Sequence, residues 1–376
     1  MDSNEYLEEM KKIQQNLLDL LDYEKNVEEK YQNLKNIFDD IKIYDDQYKI
    51  KSLMYLLLHI CKNHHREEGF FNKIEQILKL FKDGLQKYFS NSELFHIFKS
   101  NKRILLFLIE EKIMTLDEFI AKRIIKGKYL DRKYPQYFQP EIQPFLKEKW
   151  FPKYNEKNGF NKWVTEIQDE IPSDFYEKRK NGENDDFICR LIQKDSIGEF
   201  ITYVNKNDYP LKSTIDISKY ETNSFLLKKE ETTLIEYASF FGSIQIFKYL
   251  YKNEVKLTPS LWYYAIHGKD EEIFHILEEN HVKLPENESY EQIFKESIKC
   301  HHIDAANYIQ NNYLENENNT SSKYEIIDGL KYYNFIFIPN DDINETSFHY
   351  LCKYDYYILV FNLLNTKNID VNKILI

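Results

Sequence analysis

Glycine is scarce in this chain, with 9 in 376 residues against an ordinary usage of about 7%. A shortage of that size argues against glycine-rich phosphate loops and against a dinucleotide-binding sheet with its tight turns. Cysteine is as sparse: Cys61, Cys189, Cys300 and Cys352 lie far apart with no C-x-x-C between them. No disulfide framework is written there, and the pattern is that of a reduced, intracellular chain. No apolar run approaches the roughly 20 residues that span a bilayer, and the opening Met1-Asp2-Ser3-Asn4-Glu5 is polar and acidic, unlike a leader. The expectation is a cytoplasmic chain without membrane insertion. Motifs of nucleophilic, phosphate and acid-base chemistry are missing too, with no G-x-S-x-G, G-x-x-x-x-G-K-[ST], H-E-x-x-H, H-R-D or D-F-G.

What is present is apolar and charged in quantity. Hydrophobic residues make up 42% and aromatics 16%, enough to bury a core, and the length suits two or three domains or one domain plus a repeat array. The net charge of −11 comes from 62 acidic and 51 basic residues that are interspersed rather than blocked. Such a surface favours solubility and works against nonspecific binding to nucleic acid, although a local basic stripe stays open.

Apolar positions recur at helical spacing through residues 1–133, which read as a helical N-terminal domain. Tyr6, Met10, Ile13, Leu17, Leu20 and Leu21 form one stripe, with Glu8, Lys11, Lys12, Gln15 and Asp19 opposite. Asn91-Ser92-Glu93 reads as a helix cap and Thr115-Leu116-Asp117-Glu118 as a capping box. Pro135, Pro140, Pro144 and Pro152 then crowd among Tyr134, Tyr137, Phe138, Phe145, Trp150 and Phe151. No long helix survives that density of proline, so residues 134–186 read as a packed connector ending in a charged linker.

From residue 187 the chain repeats. Thr233 to Ala238, Phe241 to Ile244 and Ile246 to Leu250 are answered by Ser260 to Ala265, Asp270 and Ile273 to Leu277, and Ala238, Phe247 and Leu250 step by 27 to Ala265, Phe274 and Leu277. Units of this size are short helical pairs that bury their apolar faces only against neighbours. A degenerate unit runs from Phe187 to Val204, a loop or finger is expected over Tyr209 to Leu227, and Ser297, Ile303, Asn307 and Ile309 continue the pattern. Residues 315–322 form a low-complexity insert, and Tyr332 to Ile338 has the aromatic and β-branched content of a strand.

These residues resemble the ankyrin repeat. Thr346-Ser347-Phe348-His349-Tyr350-Leu351 stands where that family has T-P-L-H-x-A, Thr233 through Gly242 fits T-x-L-x-x-A with its turn glycine, and Ile369-Asp370-Val371-Asn372 matches A-D-V-N. The whole chain is similar to the large ankyrin families of parasitic protists, of the trichomonad type, in which a helical region and a domain of unknown function precede the repeats. The resemblance implies an all-α fold, a helical N-terminal region followed by an ankyrin-type α-solenoid over residues 187–376. It also implies a noncatalytic scaffold or adaptor that binds a protein partner. The 27-residue step, shorter than the family's roughly 33, leaves little room for a projecting hairpin.

Trp262 takes an inward position of its helix, whereas Phe240 and Tyr263 are read as partner-binding residues. The competing reading is a metal-dependent or unrecognised enzyme, suggested by Cys61-x-x-His64-His65 and Cys300-His301-His302. Neighbouring residues on a helix point about 100° apart, so adjacent histidines rarely share one ion. His301-His302 is expected on an exposed turn and His64-His65 at a helix end, where imidazoles meet free carbonyls. The sequence therefore predicts no enzyme, no catalytic residue, no metal ligand and no cofactor.

Overall fold

The spacing that predicts the first helix also predicts its buried face. In α1 (Ser3–Asp22) Tyr6, Met10, Ile13, Leu17, Leu20 and Leu21 are all interior. The computed structural model describes residues 2–23, 25–67, 69–126, 133–147, 170–229, 231–314, 321–340, 343 and 347–366. Those residues are predominantly α-helical, and none of their helices is long and apolar enough to cross a membrane.

Helix α2 (Val27–Asp40) packs on α1, and α3 (Gln47–Asn63) starts where the Asp46 carboxylate accepts from the Tyr48 and Lys49 amides at 2.9 and 3.1 Å. Helices α4 (Phe70–Leu80), α5 (Lys82–Tyr88), α6 (Asn91–Phe98), α7 (Lys102–Glu110) and α8 (Glu118–Lys126) complete the N-terminal group. Its caps sit beside the expected positions. Ser90, not Asn91, makes the box with Glu93, and Asp117, not Thr115, opens α8 by accepting from the Ile120 amide. Asn91 instead takes the Thr115 amide at 3.0 Å, tying the two helix starts together.

Proline behaves as expected. Helices α9 (Tyr134–Tyr137) and α10 (Gln139–Ile142) have four residues each, with Pro135 and Pro140 in the first turn, where a missing N–H costs nothing. Trp150, Phe151 and Pro152 lie outside the described residues.

After α11 (Phe175–Asn181), helices come in pairs: α12 (Phe187–Gln193) with α13 (Ile197–Asn207), α14 (Leu234–Phe240) with α15 (Ile244–Lys252), α16 (Leu261–Gly268) with α17 (Glu271–Glu279), and α18 (Tyr290–Cys300) with α19 (Ile303–Ile309). The first members contact in order, α12 with α14, α14 with α16, α16 with α18, and α18 with α20 (Ser321–Tyr332). The first pair caps a helix of the second. Asp195, in the turn after α12, accepts from the Gln245 and Ile246 amides at 3.0 Å and so caps α15. Gly242, at φ +64°, lies so close to α16 that a Cβ there would come within 2.5 Å of the Gly268 carbonyl oxygen.

The expected loop over Tyr209 to Leu227 contains one strand, β1 (Thr214–Ile215), paired antiparallel with β2 (Thr232–Thr233). It then runs across the end of α3, where the Ser224 amide donates to the Lys62 carbonyl at 3.2 Å. The strand expected at Tyr332 to Ile338 is instead the end of α20 followed by a 3-10 turn, Phe335–Phe337. Its apolar residues find a hydrophobic socket rather than a partner strand: Tyr333, Phe335 and Ile338 join the core of the N-terminal helices. So do residues of α21 (Phe348–Lys353) and α22 (Tyr357–Thr366), and α22 packs on α1. A second core is built from α12 to α19. Residues 315–320 of the low-complexity insert, Thr346 and Ile369 to Asn372 lie outside the described residues.

Candidate functional site

Where α18 packs against α3, the two cores meet through polar side chains. Helix α3 ends at Asn63, so the next residue, His64, lies where chain direction changes, and its ring reaches two acceptors. Its Nδ1 lies 2.7 Å from the Cys300 carbonyl oxygen and its Nε2 2.6 Å from Asp22 Oδ1. Helix α18 ends at Cys300, and His301, at φ +57°, turns the chain in the left-handed conformation. The exposed turn expected for His301-His302 is not found. Both side chains are interior, because α18 terminates against α3 rather than in solvent.

Burial is tolerated because each ring is placed between a donor and an acceptor. His301 Nε2 donates to the Tyr332 carbonyl at 3.1 Å, while Gln14 Nε2 approaches its Nδ1 at 3.0 Å. His302 Nδ1 donates to the Ile266 carbonyl at 2.5 Å, and its Nε2 accepts from the His65 amide at 3.4 Å. Both rings are thereby neutral. Burial pushes His301 down to about 3, and drives His302 well below the ordinary histidine value. Burial opposes ionisation of Asp22, but the hydrogen bond to His64 and Lys269 Nζ at 2.5 Å hold it well below the usual carboxylate range.

Beside this seam three metal-ligating groups converge. His267 comes from the end of α16, while Glu296 and Cys300, four residues apart, lie on one face of α18. His267 Nε2 is 2.9 Å from Glu296 Oε1, Cys300 Sγ lies 3.5 and 3.6 Å from the two ring nitrogens, and one ligand atom from each residue falls within 4.8 Å of the others. His267 Nδ1 also faces the Asn63 carbonyl at 3.1 Å, and Lys299 Nζ holds Glu296 Oε1 at 2.5 Å. Burial works against the Glu296 carboxylate, yet the His267 hydrogen bond and Lys299 bring it down to about 2. Burial lowers His267 and raises the Cys300 thiol well above its ordinary value.

The donor set is nitrogen, oxygen and sulfur, which suits zinc and its neighbours better than magnesium or calcium. Tetrahedral bonds of about 2.0–2.3 Å place ligand atoms about 3.3–3.7 Å apart. Sulfur sits at that separation from the imidazole, and the shorter nitrogen-oxygen contact would have to open for a cation to replace the proton between them. Three protein ligands would leave one tetrahedral position for water or a substrate oxygen.

The firm expectation of a non-enzyme is corrected by this cluster, a plausible metal-binding site that argues against it. It was missed because its members come from two helices, His267 and Cys300 being 33 residues apart. Of the residues singled out in the sequence, Cys300 belongs to the cluster and His64 touches it through the Cys300 carbonyl. Cys61 does not: its sulfur is buried in the N-terminal core, and its carbonyl accepts from Asn101 and Arg66 at 3.1 Å. Glu296 had only its four-residue spacing to Cys300 as a signal. Phe240 is buried, its ring stacked on Phe225 and His267. Tyr263 is half-buried with its hydroxyl on Glu288. Trp262 is interior, its Nε1 donating to the Val282 carbonyl at 2.9 Å.

No family model matches the chain, and neither curated proteins nor solved structures provide a significant match.

Proposed function

We propose that the chain is a metal-dependent protein, with His267, Glu296 and Cys300 holding one divalent transition ion of the zinc class. The observation that carries this reading is the approach of three different ligand atoms to within 4.8 Å of one another in the interior. Cys300 would hold the ion as its thiolate and His267 as its neutral imidazole, so binding would release protons and tighten with rising pH. An ion held by these three residues would supply Lewis acidity toward a water or a substrate oxygen, the chemistry of metal-assisted hydrolysis. Asn63 and Lys299 contact the ligands from outside and orient them.

Cobalt substitution tests the reading. The full chain reconstituted with Co(II) gives a thiolate-to-cobalt charge-transfer absorption, which Cys300→Ser abolishes while far-UV circular dichroism is unchanged. Absorption that persists in Cys300→Ser, or is never seen, sinks the assignment.

A second reading is favoured by the ordered contacts of α12, α14, α16, α18 and α20. Helical pairs stacked in chain order support an ankyrin-type α-solenoid, and such a stack presents its turns and outer helices to a protein partner on a rigid frame. Tyr263, half-buried on α16, remains the partner-facing proposal. Deletion of residues 233–314 abolishes partner capture on this reading, whereas capture that persists unchanged places any binding elsewhere.

A further inference from the structure

Glu254-Val255-Lys256-Leu257 and His281-Val282-Lys283-Leu284 stand 27 residues apart, each directly after the second helix of a pair. Glu254 at φ +60° and His281 at φ +51° both turn in the left-handed conformation. The next amide closes each helix, Val255 on the Leu250 carbonyl at 3.1 Å and Val282 on the Leu277 carbonyl at 3.0 Å. Each valine and leucine packs against the second core, and an exposed lysine stands between them. No hairpin rises from either turn, so the two leave an open groove between them of about 890 Å³. Val255, Leu257, Pro259 and Val282 give it an apolar lining, while Lys252, Lys256, Lys283 and His281 face a single carboxylate, Glu254. Its walls are tied together. Tyr251 Oη donates to Asn280 Oδ1 at 2.5 Å from one pair to the next, and Trp262 Nε1 holds the Val282 carbonyl at 2.9 Å.

A lysine at a helix C-terminus ordinarily answers the negative end of the dipole, and Lys252, in the last turn of α15, has that role. Lys256 and Lys283 lie beyond their helices at the same place in successive pairs. None of the three has an ion pair among the described residues, unlike Lys248, which Glu272 holds. In a chain of net charge −11, a groove with three such ammonium groups and one carboxylate reverses the sign locally. The reversal is short. Glu279 precedes Asn280, and Glu286 and Glu288 follow Lys283, all three exposed. A long polyanion would meet those carboxylates, whereas a few acidic residues fit between them. The apolar lining supplies what exposed charge does not, since screened ion pairs add little affinity and a covered aliphatic side chain adds more.

We propose that this groove docks a short extended segment of a partner protein in which acidic residues flank an aliphatic side chain. The aliphatic group covers Val255, Leu257 and Val282, and the carboxylates meet Lys256 on one turn and Lys283 on the next. The proposal rests on the stacked-pair reading of partner binding, because the groove exists only where one pair lies against the next. It is independent of the metal centre, none of whose ligands lines the groove.

A fluorescein-labelled synthetic peptide with the core Asp-Glu-Leu-Asp-Glu tests it, by fluorescence anisotropy against the full chain. Saturable binding is expected, weakening with added salt. Lys256→Glu and Lys283→Glu, exposed positions whose far-UV circular dichroism and Tm match the wild type, each weaken it at least tenfold. A peptide with serine for its leucine, or with amides for its acids, is weakened as much. Lys206→Glu, an exposed lysine in the last turn of α13, has no effect. No saturable binding, equal weakening by Lys206→Glu, or indifference to the leucine overturns the proposal. Tighter binding of a single-stranded DNA oligonucleotide, lost in the same two variants, overturns it in favour of nucleic acid. Partner capture that is lost on deletion of residues 233–314 but untouched by Lys256→Glu and Lys283→Glu removes this groove and leaves the stacked-pair reading standing. Capture that survives the deletion removes both.

Discussion

Glu183 shows how a single residue's environment sets a pH response. Burial raises its carboxyl to about 7, Arg66 opposes the shift and Glu221 adds to it. A carboxyl whose folded value lies above its unfolded one binds its proton more tightly when folded, so stability falls as pH rises from about 4.5 through about 7. Glu183→Gln removes that loss. It raises Tm at pH 8 and leaves it nearly unchanged at pH 4.5 in calorimetric scans; a gain of equal size at both values contradicts the assignment. His59 works in the other direction: burial, then Lys62 and other cations, drive it well below its ordinary value, and its Nδ1 is buried without a hydrogen bond. The unfolded chain takes up that proton as pH falls below about 6.5, so stability is present above that value and lost beneath it. His59→Phe keeps a ring against Tyr333, stacked at 5.9 Å. It flattens the acid limb of a Tm-pH profile, and an unchanged limb would show that other groups set it. Little of this was legible beforehand, because the groups that shift Glu183 and His59 come from distant segments, Arg66 and Glu221 for the one and His301, Lys299 and Lys331 for the other.

At the scale of elements, the sequence was a good guide wherever periodicity and local chemistry decide. The stripe of α1 lies where the sequence puts it, whereas the box at Thr233, with Glu236 Oε2 accepting the Thr233 amide at 2.9 Å, is one the sequence reading passed over. Tyr332 to Ile338 was misread because β-branched and aromatic residues report burial as readily as strand, and here Asn334 anchors the turn to Ile298 and Gln14 at 2.8 and 2.7 Å. Caps are strong local determinants, so Thr233→Ala costs about 1 kcal/mol in chemical denaturation, and no change would mean the contacts of β2 position α14 without it. A harsher change lies at the close approach between pairs. A Cβ at Gly268 would stand 2.0 Å from the Ser239 carbonyl oxygen, so the backbone must move. Gly268→Ala is expected to destabilise by about 1–3 kcal/mol, whereas Gly198→Ala, with nothing within 4 Å, serves as the mild control.

For the whole molecule, the polar joint couples two hydrophobic cores into one unit. The first core takes in residues from both ends of the chain, with α22 on α1, and the second lies between them in sequence. Separating them breaks the bonds of His64 to the Cys300 carbonyl, of His301 to Gln14 and the Tyr332 carbonyl, and of His302 to the His65 amide, a loss of several buried hydrogen bonds. A single cooperative unfolding transition is expected, reported alike by fluorescence and circular dichroism; two separated transitions would show that the cores melt independently. The same joint carries the candidate metal ligands, which composition and motif spacing hide because His267 and Cys300 meet only when α16 and α18 stack.

The most direct measurement is the metal content of the full chain, purified without a histidine tag and analysed by inductively coupled plasma mass spectrometry after dialysis against zinc and then metal-free buffer. The metal-centre account predicts close to one equivalent of zinc in the wild type and little in His267→Ala or Cys300→Ser. Substoichiometric zinc in the wild type, or equal retention in all three proteins, contradicts it.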